Sequence, residues 1–175
     1  YRVVTQVEAG ILGLLLGYRK TGYELVQDFR GSIFYWSGSQ STVYAALQRM
    51  EDDGLIAGYS RGARSTEYTI TEDGKQALTE FALEPLSGEK LLSQPDLYRM
   101  KLRTASALDA KQRLDCYRAQ RAQVVRAIGL IQLNMPSDSK AFSGRLGLLC
   151  IRQLQEDISF LDTVIAEAES EIASE

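Results

Sequence analysis

The sequence contains no histidine. That removes the commonest general base near neutral pH, the hydrolytic triads that depend on it, and most zinc sites. Cysteine is scarce as well. Cys116 and Cys150 stand far apart with no Cys-x-x-Cys pair, so neither a disulfide framework nor a metal knuckle is expected. They read as buried, inert thiols rather than oxidant sensors. The longest apolar stretch, Ala9 to Gly17, is too short to span a bilayer, and no basic-then-apolar leader precedes a small-residue cleavage site. A reduced, cytoplasmic setting is expected. No Gly-rich phosphate loop and no clustered carboxylate pair occur. The expectation is therefore a chain without catalytic residues, without metal ligands and without a cofactor. Positive charge is in short supply too: the net charge is −3. A protein that coats nucleic acid through bulk charge is disfavoured, but a small local positive surface is not.

The 175 residues are 45% apolar and 25% charged, a globular composition long enough for about one domain or two small units. Proline occurs three times, and each marks an interruption: Pro85 and Pro95 near the middle, and Pro136 in a later turn. Two halves with different habits meet between them. The expected division is residues 1–83, a linker over 84–96, and 97–175.

Start signals recur in the first half. Thr5-x-x-Glu8 reads as a capping box opening a helix with Val4, Val7, Ile11, Leu14 and Leu15 on one face. Thr21-x-x-Glu24 opens a second helix with Val26 and Phe29 inward. A third begins near Ser39 or Ser41, either of which suits an N-cap, with Val43, Leu47 and Met50 inward and Gly54 as its stop. The period then changes to two. Leu55, Ala57 and Tyr59 alternate, as do Thr66, Tyr68 and Ile70, with Arg61-Gly62-Ala63-Arg64 between them: a β-hairpin. Thr71-Glu72-Asp73 caps a further helix. Helix, helix, helix, hairpin, helix is the winged helix-turn-helix order.

In that arrangement the third helix enters the DNA major groove by its N-terminal end. Gln40, Ser41, Tyr44 and Gln48 lie opposite its apolar stripe. Glutamine reads adenine edges, and hydroxyls bind phosphate oxygens. Arg61 and Arg64 at the hairpin tip suit flanking phosphate or the minor groove. A polar helix face is also what plain solvation produces, and nothing in the pattern accounts for the acidic run Glu51-Asp52-Asp53.

Gly22-Tyr23-Glu24, then Ser39-x-Ser41-Thr42-Val43-Tyr44-x-x-Leu47-x-x-Met50-x-x-x-Gly54-Leu55-Ile56, then Glu67-Tyr68-x-Ile70-Thr71-x-x-Gly74 resemble the signature of PadR-like transcriptional regulators. Phe34-Tyr35-Trp36-x-x-Ser39, with Leu97, Lys101-Leu102 and Ile158-x-x-Leu161-Asp162 further on, resembles the branch with a virulence-activator-type helical second half. Thr21 stands where many members have histidine, so it caps but cannot switch with pH. The resemblance implies DNA contacts from Ser39, Gln40, Ser41, Thr42 and Tyr44, with Arg61 and Arg64 in the wing, and packing roles for Tyr23 and Trp36. Some members respond to phenolic or other aromatic compounds, which makes a small aromatic effector a candidate partner.

The second half is helical in pattern. Ile151, Leu154, Ile158, Leu161, Ile165, Ala168 and Ile172 form a heptad seam, flanked by acids, with no lysine or arginine after Arg152. A second seam runs through Leu114, Tyr117, Arg121, Val124, Ile128, Ile131 and Met135. From Lys90 to Arg126 there are nine basic residues against three acidic ones. A basic helix against an acidic helix, joined at the Pro136 turn, reads as an antiparallel hairpin. Its apolar faces exceed what a lone hairpin covers. The expected dimer interface is Leu114, Tyr117, Val124, Ile128, Ile151, Leu154, Ile158, Leu161 and Ile165.

The fold expectation is mainly α with a small β-hairpin: a winged helix-turn-helix followed by an all-helical dimerisation domain. The functional expectation is a homodimeric, sequence-specific regulator on double-stranded DNA. The alternative is a winged-helix dimer serving as a protein–protein interaction module.

Overall fold

The computed structural model describes residues 3–31, 39–60, 62, 65–136 and 142–174. They form α1 (Gln6–Leu15), β1 (Lys20–Thr21), α2 (Gly22–Gly31), α3 (Gln40–Asp52), β2 (Ile56–Ser60), β3 (Thr66–Ile70), α4 (Glu72–Leu83), α5 (Gly88–Ser93), α6 (Pro95–Ala105), α7 (Ala110–Asn134) and α8 (Phe142–Ser174). The chain divides into two compact units, residues 1–82 with 99–107, and residues 83–98 with 108–175. The stretch expected as a linker, 84–96, holds α5 and the start of α6.

In the first unit the capping chemistry is local and complete. The Thr5 backbone N–H donates to Glu8 Oε2 at 2.8 Å while the Thr5 hydroxyl accepts from Glu8 N–H. Thr21 and Glu24 repeat the exchange at 2.7 and 3.2 Å. Ser39 is the N-cap of α3, its side chain accepting from Thr42 N–H, which decides between the two serines. Behind these caps, Ile11, Leu12 and Leu15 of α1, Leu25 of α2 and Leu47 and Met50 of α3 are fully buried. Burying each such side chain stabilises the fold by roughly 1.5–3 kcal/mol.

The sheet has the order β1-β3-β2 and is antiparallel. The expected hairpin is present, with Ile56 opposite Ile70 and Ser60 opposite Thr66. Gly62 adopts φ 80°, the left-handed backbone that suits glycine in a turn. One corner ties this sheet to the helices. After Gly54 (φ 73°) closes α3, Leu55 N–H donates to Met50 O at 2.8 Å. The Leu55 carbonyl accepts from Thr71 N–H at 3.1 Å and lies 2.9 Å from the Thr71 hydroxyl. That hydroxyl also accepts from Gly74 N–H at 3.0 Å, which starts α4. A Cβ on Gly74 would stand 2.1 Å from Leu55 O, so only glycine lets α4 approach this closely.

In the second unit α7 and α8 form the expected hairpin. Leu114, Tyr117 and Val124 are buried with Ile151, Leu154 and Leu161 along one seam. Arg113–Glu171, Arg118–Glu169 and Arg121–Asp162 pair across it in descending order, which marks the helices as antiparallel. The Arg121 guanidinium binds both Asp162 oxygens and holds that carboxyl below its ordinary range. These pairs are exposed, so they select the partner helix while the seam supplies the energy. Gln120, 2% exposed, uses its side-chain amide on both backbone groups of Leu86, at 2.9 and 3.2 Å. That exchange docks the segment leading into α5. Cys116 is buried and Cys150 half-buried, and both are free thiols. No described helix is long and apolar enough to cross a membrane.

Gly74→Ala should lower stability by about 1–3 kcal/mol, because the added methyl meets backbone rather than a movable side chain. Gly13→Ala in α1, where an added Cβ meets open space, should instead raise it by up to about 1 kcal/mol. Urea midpoints of the two variants test this. A Gly74→Ala protein as stable as the parent would show that the corner yields.

Candidate nucleic-acid interface

The first turns of α3 carry the residues expected to meet DNA. Ser39, Gln40, Ser41 and Tyr44 are exposed and Thr42 is half-buried, while Val43, Ala46, Leu47 and Met50 face the core. The Ser39 hydroxyl lies 2.7 Å from that of Ser41 and 2.9 Å from that of Thr42. Three hydroxyls thus cluster at the uncharged, positively polarised end of the helix. Tyr44, 41% exposed, rests on the start of α2, where a Cβ on Gly22 would come within 2.6 Å of its ring. The Gly-Tyr-Glu triplet therefore packs α2 onto the leading end of α3. Gln48 is turned away from this end and donates to Asp52 Oδ1 at 3.0 Å. Arg61 and Arg64 lie outside the described residues, as do Tyr35 and Trp36.

Tyr23 does not pack as expected: it is 64% exposed. In the first turn of α2, Gly22, Leu25 and Val26 take the inward positions and leave 23 and 24 outside. Its place beside Gly22 adds an exposed aromatic to the same edge. Arg19 and Tyr59 form an exposed pair of their own. The Arg19 guanidinium stands over the Tyr59 ring, 5.1 Å from the centroid. The sequence reading missed this pair because β1 has two residues, too few for any periodic signal.

The acidic run at the end of α3 has a structural explanation. Glu51 Oε1 accepts from Gly58 N–H at 3.2 Å, and a Cβ on Gly58 would lie 2.4 Å from that oxygen. Asp52 takes the Gln48 amide, and Asp53 is the C-cap, its N–H returning to Arg49 O. Glu51 thereby joins α3 to β2. At the other side of α3, Arg49 Nε lies 3.5 Å from the fully buried carboxylate of Glu8, linking α3 to α1. Burial, reinforced by the charge of Glu51 and by Tyr44, pushes the Tyr68 hydroxyl above its usual value of 10.0.

The expected dimer residues lie elsewhere. Leu114, Tyr117, Val124, Ile151, Leu154 and Leu161 are buried within one chain, and Ile128, Ile158 and Ile165 are half-buried. The seam serves the hairpin itself. Exposed instead are Val125 and Leu133 of α7 and Phe142, Leu146, Leu149 and Phe160 of α8. An apolar groove of about 680 Å³ runs along Leu92, Leu130, Met135, Leu146 and Cys150. Among the described residues no group of His, Cys, Asp and Glu is arranged to hold a metal ion.

Residues 11–80, from α1 to α4, match the family model described as the transcriptional regulator PadR-like family. Over these residues the chain is similar to that family. No curated protein sequence matches the chain. Among solved structures, Bacillus subtilis PadR in complex with operator DNA is 22% identical, with 94% of this chain and 99% of that one covered and a TM-score of 0.41. The same protein with p-coumaric acid gives 21% identity, the same coverage and 0.41. The Vibrio cholerae virulence activator AphA gives 22%, 94% and 98%, and 0.41.

Because the fold favours neutral Tyr68, this group's contribution to stability is complete below pH 10 and is lost as pH rises through its raised value. Tyr68→Phe should remove one late-ionising tyrosine from a spectrophotometric titration. Glu51→Gln should bring that step back toward the usual value. Because burial also raises Tyr117, the count decides: an unchanged number of late-ionising tyrosines in Tyr68→Phe would show that Tyr68 is not among them.

Proposed function

We propose that this PadR-like chain is a sequence-specific DNA-binding regulator acting as a homodimer, with the first unit reading DNA and the second holding two copies together. The observation that carries the reading is the leading edge of α3. Gln40 and Tyr44 stand in solvent beside three clustered hydroxyls, with no charged side chain from Ser39 to Tyr44. Such an edge fits base edges and phosphate oxygens without the self-repulsion a dense cationic face would carry. Ser39, Ser41, Thr42 and Tyr44 bind backbone, Gln40 reads a base, and Arg61 and Arg64 bind flanking phosphate. The two copies meet through the face that the α7–α8 hairpin leaves open, Val125, Leu133, Phe142, Leu146, Leu149 and Phe160. Six large apolar side chains exposed on one hairpin are the kind of surface that a second copy covers. A two-fold assembly then requires a pseudo-palindromic operator with half-sites about one helical turn, or a multiple, apart.

A small aromatic effector belongs to the same reading. The first unit holds a cavity of about 360 Å³ lined by Gly10, Gly13, Met100, Arg103 and Thr104, within the range of small-molecule sites. The alternative, a winged-helix module that binds protein, differs in its response to salt.

Selection from a random DNA pool should return a pseudo-palindrome whose binding falls steeply with ionic strength. Gln40→Ala should lose about 1–3 kcal/mol of discrimination at one base position, whereas Arg64→Ala should weaken all sequences alike. Wild-type binding in the double variant would refute these contacts, and weak salt dependence would favour the protein-binding module. In light scattering the chain should run at twice its 19.5 kDa mass. The Leu133→Glu/Phe160→Glu variant should run as the monomer. A single-chain mass for the parent protein would defeat the dimer.

A further inference from the structure

We infer that Arg19, held over Tyr59, is a DNA-backbone contact that the wing presents from outside its own turn. The inference rests on the DNA-binding reading above and assigns to that interface a residue from the loop before α2. Its basis is the sheet. Lys20 and Gly58 both pair with Tyr68, and Thr21 and Tyr59 both pair with Glu67. β1 and β2 therefore run in the same direction on either side of β3. The forward end of β2 enters the wing turn at Gly62, and the forward end of β1 enters α2 at Gly22, against which Tyr44 of α3 rests. Arg19 enters β1 from its trailing end, and its guanidinium reaches forward to Tyr59, the last residue but one of β2 and so close to the end that carries the wing turn and the start of α2.

The neighbouring cations are spent locally. Lys20 Nζ lies 2.9 Å from Asp28, Arg49 pairs with Glu8, and Lys75 pairs with Glu72. Arg19 is exposed and lies on a neutral ring, with no carboxylate of the described residues in ion-pair range. That difference matters chemically. A carboxylate consumes guanidinium N–H groups and cancels the charge. An aromatic ring is drawn to the cation itself, so the edge N–H donors remain available in a fixed fork. Phosphate oxygens take such a fork in bidentate fashion. Tyr59, 48% exposed, is the positioning residue: it limits the rotamers of Arg19 before DNA arrives, and so lowers the entropy cost of the contact.

The test uses the full chain and a fluorescein-labelled duplex of random sequence, with anisotropy followed over a salt series. Arg19→Ala should reduce the slope of log K against log salt by about 0.9 for each bound arm, and Arg19→Lys should keep the slope while lowering affinity. Tyr59→Leu should weaken binding, and its loss should vanish when Arg19 is already alanine. Tyr59→Phe should bind as the parent does. Arg30→Ala, which removes an exposed cation from the opposite end of α2, should leave the slope unchanged. The inference is overturned if Arg19→Ala keeps the parent slope, if Arg30→Ala lowers it equally, or if the Arg19 and Tyr59 losses simply add. A parent chain with no salt-dependent binding would overturn the DNA-binding reading itself. A parent that binds steeply beside an unchanged Arg19→Ala would remove this contact alone.

Discussion

The carbonyl of Leu55 is the point on which the first unit turns. It accepts from the Thr71 backbone, lies against the Thr71 hydroxyl, and leaves only enough room for a glycine at 74. Four elements meet there: the end of α3, the start of β2, the end of β3 and the start of α4. If the hairpin were free to swing, the helix and the wing could not address one stretch of duplex together. Glu51 adds the second fastening by accepting from Gly58 N–H one turn of strand further on. The spacing from Gly54-Leu55-Ile56 to Thr71-x-x-Gly74 is thus the covalent record of one hydrogen-bonded corner, with Gly74 in it for its missing Cβ.

Much of this was legible because the determining interactions are short in sequence. Capping boxes at Thr5 and Thr21 act over three residues, and the alternation on both sides of Gly62 needs only the two strands it describes. The charge of α7 against that of α8 was legible for a different reason. Long helices average their composition, so the five basic residues of α7 meeting an acidic helix specify a partner without any single contact being known. What escaped were relations that no local period encodes. β1 is two residues long, and the place of Arg19 beside Tyr59 depends on a strand inserted between them. Tyr23 was misjudged because its motif neighbours are buried, while a helix turn sends adjacent residues to different sides.

The heptad seam shows a second limit of reading along a chain. A 3-4 spacing states that a stripe is covered, not by what. Ile151, Leu154 and Leu161 are covered by α7 of the same chain, so the seam belongs to the hairpin. The residues available to a second copy are those the heptad leaves out, among them Phe142, Leu146 and Leu149, which step by four and three along another face of α8. A helix of 33 residues has surface enough for two such stripes, and one periodicity masks the other when only the stronger is counted.

An acidic chain can address DNA only if its negative charge is kept off the edge that docks. Here much of that charge is engaged: Glu8 under Arg49, Glu51 on a strand amide, Asp162, Glu169 and Glu171 on the arginines of α7. The edge that remains is polar and nearly neutral, so one copy gains little from long-range attraction. In the proposed dimer two copies would change that balance, because the second half-site is met at high effective concentration once the first is bound. Weak single arms then become an advantage. A poorly matched half-site releases quickly, and discrimination comes from two modest contacts made together rather than from one strong one. On this argument the open apolar face of the second unit and the uncharged edge of α3 are parts of the same device. Neither would serve a regulator that acted as a single chain.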